Sequence, residues 1–129
     1  MKREWERAAR SGDAAAILQS LGAGDDPDAR DRYGQTALML ASHAGHLEVV
    51  RLLVAHGARM DITGKYGLSA LMLAVVGGHE EVARALALAG ADRSLRGTGA
   101  PGFHGKTAFD LAAERRLSDA LRAELDRDR

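Results

Sequence analysis

The chain has 129 residues, the size of one domain, and 46% apolar with 28% charged residues is the balance of an ordinary soluble globular protein. Eighteen basic and eighteen acidic side chains cancel, which leaves no electrostatic footprint for nucleic acid or for an anionic membrane. Cysteine is absent, which excludes a disulfide framework, a thiolate zinc site and a cysteine nucleophile, and aromatics at 4% leave the core to Ala, Leu and Val.

In chain order, residues 1–7 mix acids among bases with no apolar run behind them, so they are not a secretory signal. No later stretch approaches the roughly 18 apolar residues that span a bilayer, and the default placement is cytoplasmic. Helical spacing of apolar residues predicts four helix pairs: 2–10 with 13–21, 36–43 with 47–55, 69–76 with 80–88, and 107–114 with 118–125. Thr36, Ser69 and Thr107 stand where a helix N-cap is needed, because a hydroxyl can accept an orphan backbone N–H. Gly45 and Gly78 break the first helix of a pair from the second and allow a left-handed turn; Gly57 and Gly90 close the second helix. The stretches between pairs are expected to project as hairpin-like loops.

The units repeat. Gly12, Gly45 and Gly78 are 33 residues apart, as are Gly24, Gly57 and Gly90, Gly34 and Gly67, and Tyr33 and Tyr66. Residues 36–41, Thr-Ala-Leu-Met-Leu-Ala, return at 69–74 as Ser-Ala-Leu-Met-Leu-Ala. A pair cannot bury its apolar face alone, so stacking must supply the core. A 33-residue period with this start, followed by Gly45-His46, Leu52-Leu53 and Gly57-Ala58, resembles the ankyrin family. The next unit matches at residues 66–71, Gly78-His79 and Gly90-Ala91-Asp92, the last at 105–112, and the first thirty residues fit a degenerate leading repeat. The resemblance implies an all-α solenoid of stacked helix-turn-helix pairs, one ankyrin-repeat domain over 1–129 with units near 1–30, 31–63, 64–101 and 102–129. Charged residues open the chain at Lys2, Arg3, Glu4, Glu6 and Arg7 and close it at Arg122, Glu124, Asp126, Arg127, Asp128 and Arg129. Both ends read as polar caps of a complete small protein. The absence of Asn, and fifteen Arg against three Lys, point to a GC-rich and bacterial coding sequence.

Three departures from the family pattern stand out. Ala37, Ala70 and Ala108 replace the motif Pro, and Met39, Met72 and Asp110 replace its His. Gly67 to Gly105 is 38 residues, five more than the period, with the surplus in the glycine-rich 96–104 segment. That segment reads as a mobile or partner-shaped finger, or as a tolerated insertion at a loop tip. Arg116 replaces the glycine of the last inter-helix turn, which is therefore expected to differ from the others.

Candidate chemistry has plain competitors. His43 and His46 stand three apart and could ligate a metal, but His46 and His79 share one repeat position, which favours a structural role. Asp25, Asp26 and Asp28, with Asp31 beyond, lack the ligand spacing of a calcium loop and read as a solvated turn. Gly97, Gly99 and Gly102 have neither the following Lys-Ser/Thr nor the preceding strand of a phosphate loop. No serine has a nucleophile-elbow context. Trp5 falls in register with Leu38, Leu71 and Phe109 and reads as core. No catalysis, metal or cofactor is expected.

What remains is a surface. The resemblance implies that partners dock on the concave face made by loop tips and inner helices. By register that face comprises Arg10, Arg32, Tyr33, Gln35, His43, Lys65, Tyr66, Leu68, Val76, Phe103, His104, Lys106, Glu114 and Arg115. It holds both tyrosines and one phenylalanine of an aromatic-poor chain, and aromatics with Arg are the usual energetic anchors of interfaces. The expected function is a non-catalytic protein-protein interaction module, monomeric alone. Inhibitor or immunity partner of a toxin, and accessory subunit of an enzyme, are jobs open to it. The alternatives are a self-associating structural protein, through Leu68, Val76 and the loops, and an enzyme or metal protein using His43, His46 or His104.

Overall fold

The computed structural model describes residues 1–126; Arg127, Asp128 and Arg129 of the expected C-terminal cap lie outside them. Among the described residues there are eight α-helices: α1 (Arg3–Ser11), α2 (Ala14–Gly22), α3 (Ala37–Ala44), α4 (Leu47–Ala55), α5 (Ala70–Val76), α6 (Glu80–Leu88), α7 (Ala108–Glu114) and α8 (Asp119–Asp126). Each odd helix pairs with the even helix that follows. The odd helices stack in the order α1, α3, α5, α7, and the even ones behind them as α2, α4, α6, α8. The all-α solenoid of stacked pairs is therefore the architecture. No described helix is long and apolar enough to cross a membrane.

The stack explains where hydrophobicity is placed. Residues 37–42 of α3 and 70–75 of α5 are buried in succession, because each helix has neighbours on both sides and behind it. Small residues such as Ala37, Ala41, Ala70 and Ala74 let those helices approach closely. The terminal α1 and α8 bury one side only, through Trp5, Ala8 and Ala9 and through Leu121 and Leu125. Fully burying a leucine stabilises by about 1.5–3 kcal/mol, so Leu38, Leu53, Leu71, Leu86, Leu111 and Leu121, all at 1% exposure or less, supply much of the cohesion.

The N-caps are built from the residues the sequence indicates. Thr36, Ser69 and Thr107 accept from the amides of Met39, Met72 and Asp110 at 3.3, 3.3 and 3.2 Å. Asp110 returns the favour to the Thr107 amide at 3.0 Å, closing a capping box. Arg116 corrects the expectation of a different last turn. It adopts φ 55°, beside φ 84° at Gly45 and 76° at Gly78, and the turn is unchanged. The Leu117 amide donates to the Ala112 carbonyl at 3.0 Å, just as His46 donates to Ala41 and His79 to Ala74 at 2.9 Å. The constraint of the stack thus holds an arginine in a backbone region that favours glycine.

Polar groups tie neighbouring units. The carboxylate of Asp28 accepts from the Arg59 amide and that of Asp61 from the Asp92 amide, each at 2.8 Å. Asp28 is therefore an inter-unit tie, and Asp25 pairs with Lys2 at 2.8 Å, so the acidic stretch is more than a solvated turn. His46 Nε2 donates to the Arg10 carbonyl at 2.8 Å. Its ring fills the space beside Gly12, where a Cβ would lie 2.6 Å from Nδ1, and the His79 ring stands likewise against Gly45.

Candidate functional site

The inter-pair hairpins share one closure. The Asp31 amide donates to the Gln35 carbonyl at 2.8 Å and the Gly64 amide to that of Leu68 at 3.1 Å, each spanning four residues. In the third hairpin the Gly97 amide donates to the Lys106 carbonyl at 2.9 Å, spanning nine. The five surplus residues thus lie wholly inside the third hairpin. They do not form a free finger. The Thr98 amide donates to the Tyr66 carbonyl at 2.7 Å, and the Phe103 and His104 amides both donate to Ala100, at 3.0 and 2.9 Å. The Arg96 guanidinium reaches the Gly105 carbonyl at 2.6 Å. Gly97 cannot carry a side chain here, since a Cβ would lie 2.2 Å from the Phe103 carbonyl oxygen.

This folding back brings Phe103 onto Tyr66, with ring centroids 5.7 Å apart and planes tilted by 32°. Tyr66 itself sits at φ 62°, inside the short 3-10 turn Lys65–Gly67. Beneath the two rings lies a groove of about 210 Å³, lined by Gln35, Met39, His43, Leu73 and Val76 with the rings. Lys65 and Leu68 complete its border. Seven residues of the predicted row meet here: Gln35, His43, Lys65, Tyr66, Leu68, Val76 and Phe103. Leu68 is 5% exposed and belongs to the core, and offers the groove only an edge. Register alone assigned it to the row, and its hairpin position faces inward.

The other row residues lie around the groove or along the stack. Tyr33 is 59% exposed at the preceding hairpin tip, with the Arg32 guanidinium 5.2 Å from its ring centroid. The Lys65 ammonium stands 4.9 Å from the Tyr66 centroid in the equivalent arrangement. Arg10 pairs with Glu6 at 3.2 Å and with Asp31 at 3.7 Å, and Lys106 pairs with Glu114 at 2.5 Å. His104 and Arg115 are exposed. Met39 and Leu73 were missed because both sit at core spacing; the one signal was that Met39 takes the place of the family's motif His.

The arrangement offers an apolar contact surface. Among the described residues no group of three or more His, Asp or Glu is placed to hold a metal ion. The His46 ring is committed to the Arg10 carbonyl, which takes it away from the pair that His43 and His46 might have formed. Lys2 and Asp92 are moved from their ordinary values, and neither lines the groove. The hydrogen bond and charge of Asp25 hold the Lys2 ammonium above its usual range, and the Ser94 hydroxyl and amide hold Asp92 below the usual carboxylate range.

A family model for ankyrin repeats, three copies, matches residues 5–97, and the chain belongs to the ankyrin-repeat family. It is 46% identical over 56 residues to ankyrin repeat domain-containing protein 29 of Danio rerio, which covers 43% of this chain and 19% of that protein. It is 45% identical over 58 residues to ankyrin repeat domain-containing protein SAT10 of Stachybotrys chartarum, covering 45% of this chain and 3% of that protein. The chain therefore spans a fifth or less of these curated relatives. Among solved structures it is similar to a chain in the complex of the Bd0816 predatory endopeptidase from Bdellovibrio bacteriovorus with immunity protein Bd3460. That match has a TM-score of 0.85 at 27% identity and covers 96% of this chain and 62% of that one.

Proposed function

We propose that this chain is a non-catalytic protein-binding module whose partner docks on the row from Arg10 to Arg115, centred on the groove under Tyr66 and Phe103. One observation carries the reading: three of the chain's five aromatic side chains, Tyr33, Tyr66 and Phe103, lie along this row, in a chain whose core is mostly aliphatic. Tyrosine and arginine are among the groups that dominate interface energetics. The likeness to a chain of an endopeptidase–immunity protein complex supports a job as inhibitor or immunity partner of an enzyme, and accessory subunit is the related role.

The test is affinity capture from a bacterial lysate with the intact chain, beside a Tyr33→Ala, Tyr66→Ala, Phe103→Ala triple variant verified as helical by circular dichroism. A protein held by the wild type and released by the variant supports the reading. A protein held equally by both moves the binding face to the outer helices or the ends of the stack.

A further inference from the structure

We infer that the groove under Tyr66 and Phe103 is a socket for one large apolar side chain on an extended partner segment, with carboxylates flanking that side chain. The inference rests on the binding-module reading and adds the chemistry of what enters.

Size decides first. Sites for cofactors and drug-sized molecules enclose about 300–1,000 Å³. The groove holds about 210 Å³, which suits a single side chain and not a cofactor. Its walls decide next. Met39 and Leu73 are almost fully buried, Val76 is half-buried, and the two rings stand over them, so the interior offers thioether, aliphatic and aromatic surface. An aromatic or long aliphatic group is what such walls desolvate without leaving a polar group unpaired.

Charge fixes the flanks. Although the chain as a whole is neutral, the carboxylates of this face are already engaged. Glu6 and Asp31 face Arg10, Glu114 faces Lys106, and Asp110 accepts from the Thr107 amide. The cations are not equally spent. Lys65 at the groove border and Arg32 at the neighbouring tip lie over tyrosine rings, and among the described residues neither forms an ion pair with a carboxylate. The mouth of the socket is therefore positive, and a segment arriving with acidic residues beside its anchor meets unpaired cations. A basic segment meets the same cations as repulsion.

The test uses the intact, 15N-labelled chain and three synthetic peptides. The first carries one phenylalanine between two pairs of aspartates; the second replaces the aspartates by lysines; the third replaces the phenylalanine by alanine. In amide chemical-shift titrations the first peptide is expected to move signals of residues 64–68, 73–77 and 103–106. Each of the other two should bind about tenfold more weakly, in line with the loss of one anchor or one charge interaction. Lys65→Glu should weaken the first peptide and strengthen the second, a reciprocal change that a folding defect does not produce.

Equal binding of the aspartate and lysine peptides overturns the inference, as do shifts centred elsewhere or no shift at millimolar peptide. If the triple variant loses a captured partner while the peptides fail, the binding face stands and this socket chemistry falls. If the acidic peptide seats as described, the socket is supported whatever the lysate yields.

Discussion

At Arg116 an arginine occupies the turn position where three earlier units have glycine, and it does so at φ 55°. A non-glycine residue in that region costs about 1–2 kcal/mol, and the extra freedom of an unfolded glycine returns about 0.5–1. Arg116→Gly should therefore stabilise the chain by about 0.5–1 kcal/mol in urea unfolding, with an unchanged m-value. Ser42 lends itself to a second substitution. It is fully buried in α3 and its hydroxyl meets no hydrogen-bond partner among the described residues, whereas Val75 fills the same register position in α5. An unsatisfied buried hydroxyl costs about 1–3 kcal/mol, so Ser42→Ala should be neutral or stabilising in the same assay. At Asp92 the sign runs the ordinary carboxylate way. Its folded value lies below the unfolded one, so its contribution is present above the usual carboxylate range and fades as pH falls through the folded value. Ser94→Ala removes the hydroxyl, the larger cause, while keeping the amide, and should move the Asp92 carboxyl titration upward, as followed by NMR. The hydroxyl caps were legible from sequence because a Ser or Thr before a helical apolar pattern has one strong local use. The inward turn of Leu68 and the left-handed Arg116 were not, because both are imposed by neighbouring units and leave no local mark.

Among the elements, the third hairpin decides the shape of the face. Its surplus was visible as a break in the 33-residue period, and the sequence placed it within the correct segment. Its docking was invisible. That depends on one backbone hydrogen bond from Thr98 to Tyr66 and one ring contact, neither of which has a composition signature. Of the glycines in the surplus segment, Gly97 serves close approach, since a Cβ there would strike Phe103, whereas Gly102 has open space around it; on the preceding hairpin a Cβ on Gly67 would press on Thr98 at 3.0 Å. Deleting residues 99–103 restores the period and removes Phe103 from the groove wall. The helical circular dichroism should be retained, because the deletion touches no helix, while binding of the acidic peptide should fall to the level of its alanine counterpart. Loops of this kind tolerate length changes because closure entropy grows slowly with length. A loss of helicity on deletion would mean that the insertion is part of the stack.

For the molecule as a whole, cohesion passes from unit to unit through nearest neighbours. Truncating Leu71, in the middle of the stack, removes contacts on both sides and should cost about 2–5 kcal/mol, lowering protection from hydrogen exchange along the entire chain. Truncating Leu125 should release α8 first and leave α3 and α5 protected, because among the described residues α8 packs chiefly on α6 and α7. The period carried this architecture in full, since each unit repeats the same burial problem and the same solution. It could not carry the partner, whose identity is a property of side chains the stack leaves free. One buried residue also gives the molecule an asymmetric optical character. Trp5 is its single indole, 2% exposed in the first helix, and its ring N–H meets no acceptor among the described residues. Its emission should be blue-shifted and should report the leading end of the stack alone, silent to events at the Tyr66 groove. A fluorescence melt that precedes the circular dichroism melt would then show, with no label added, that the array comes apart from its first pair.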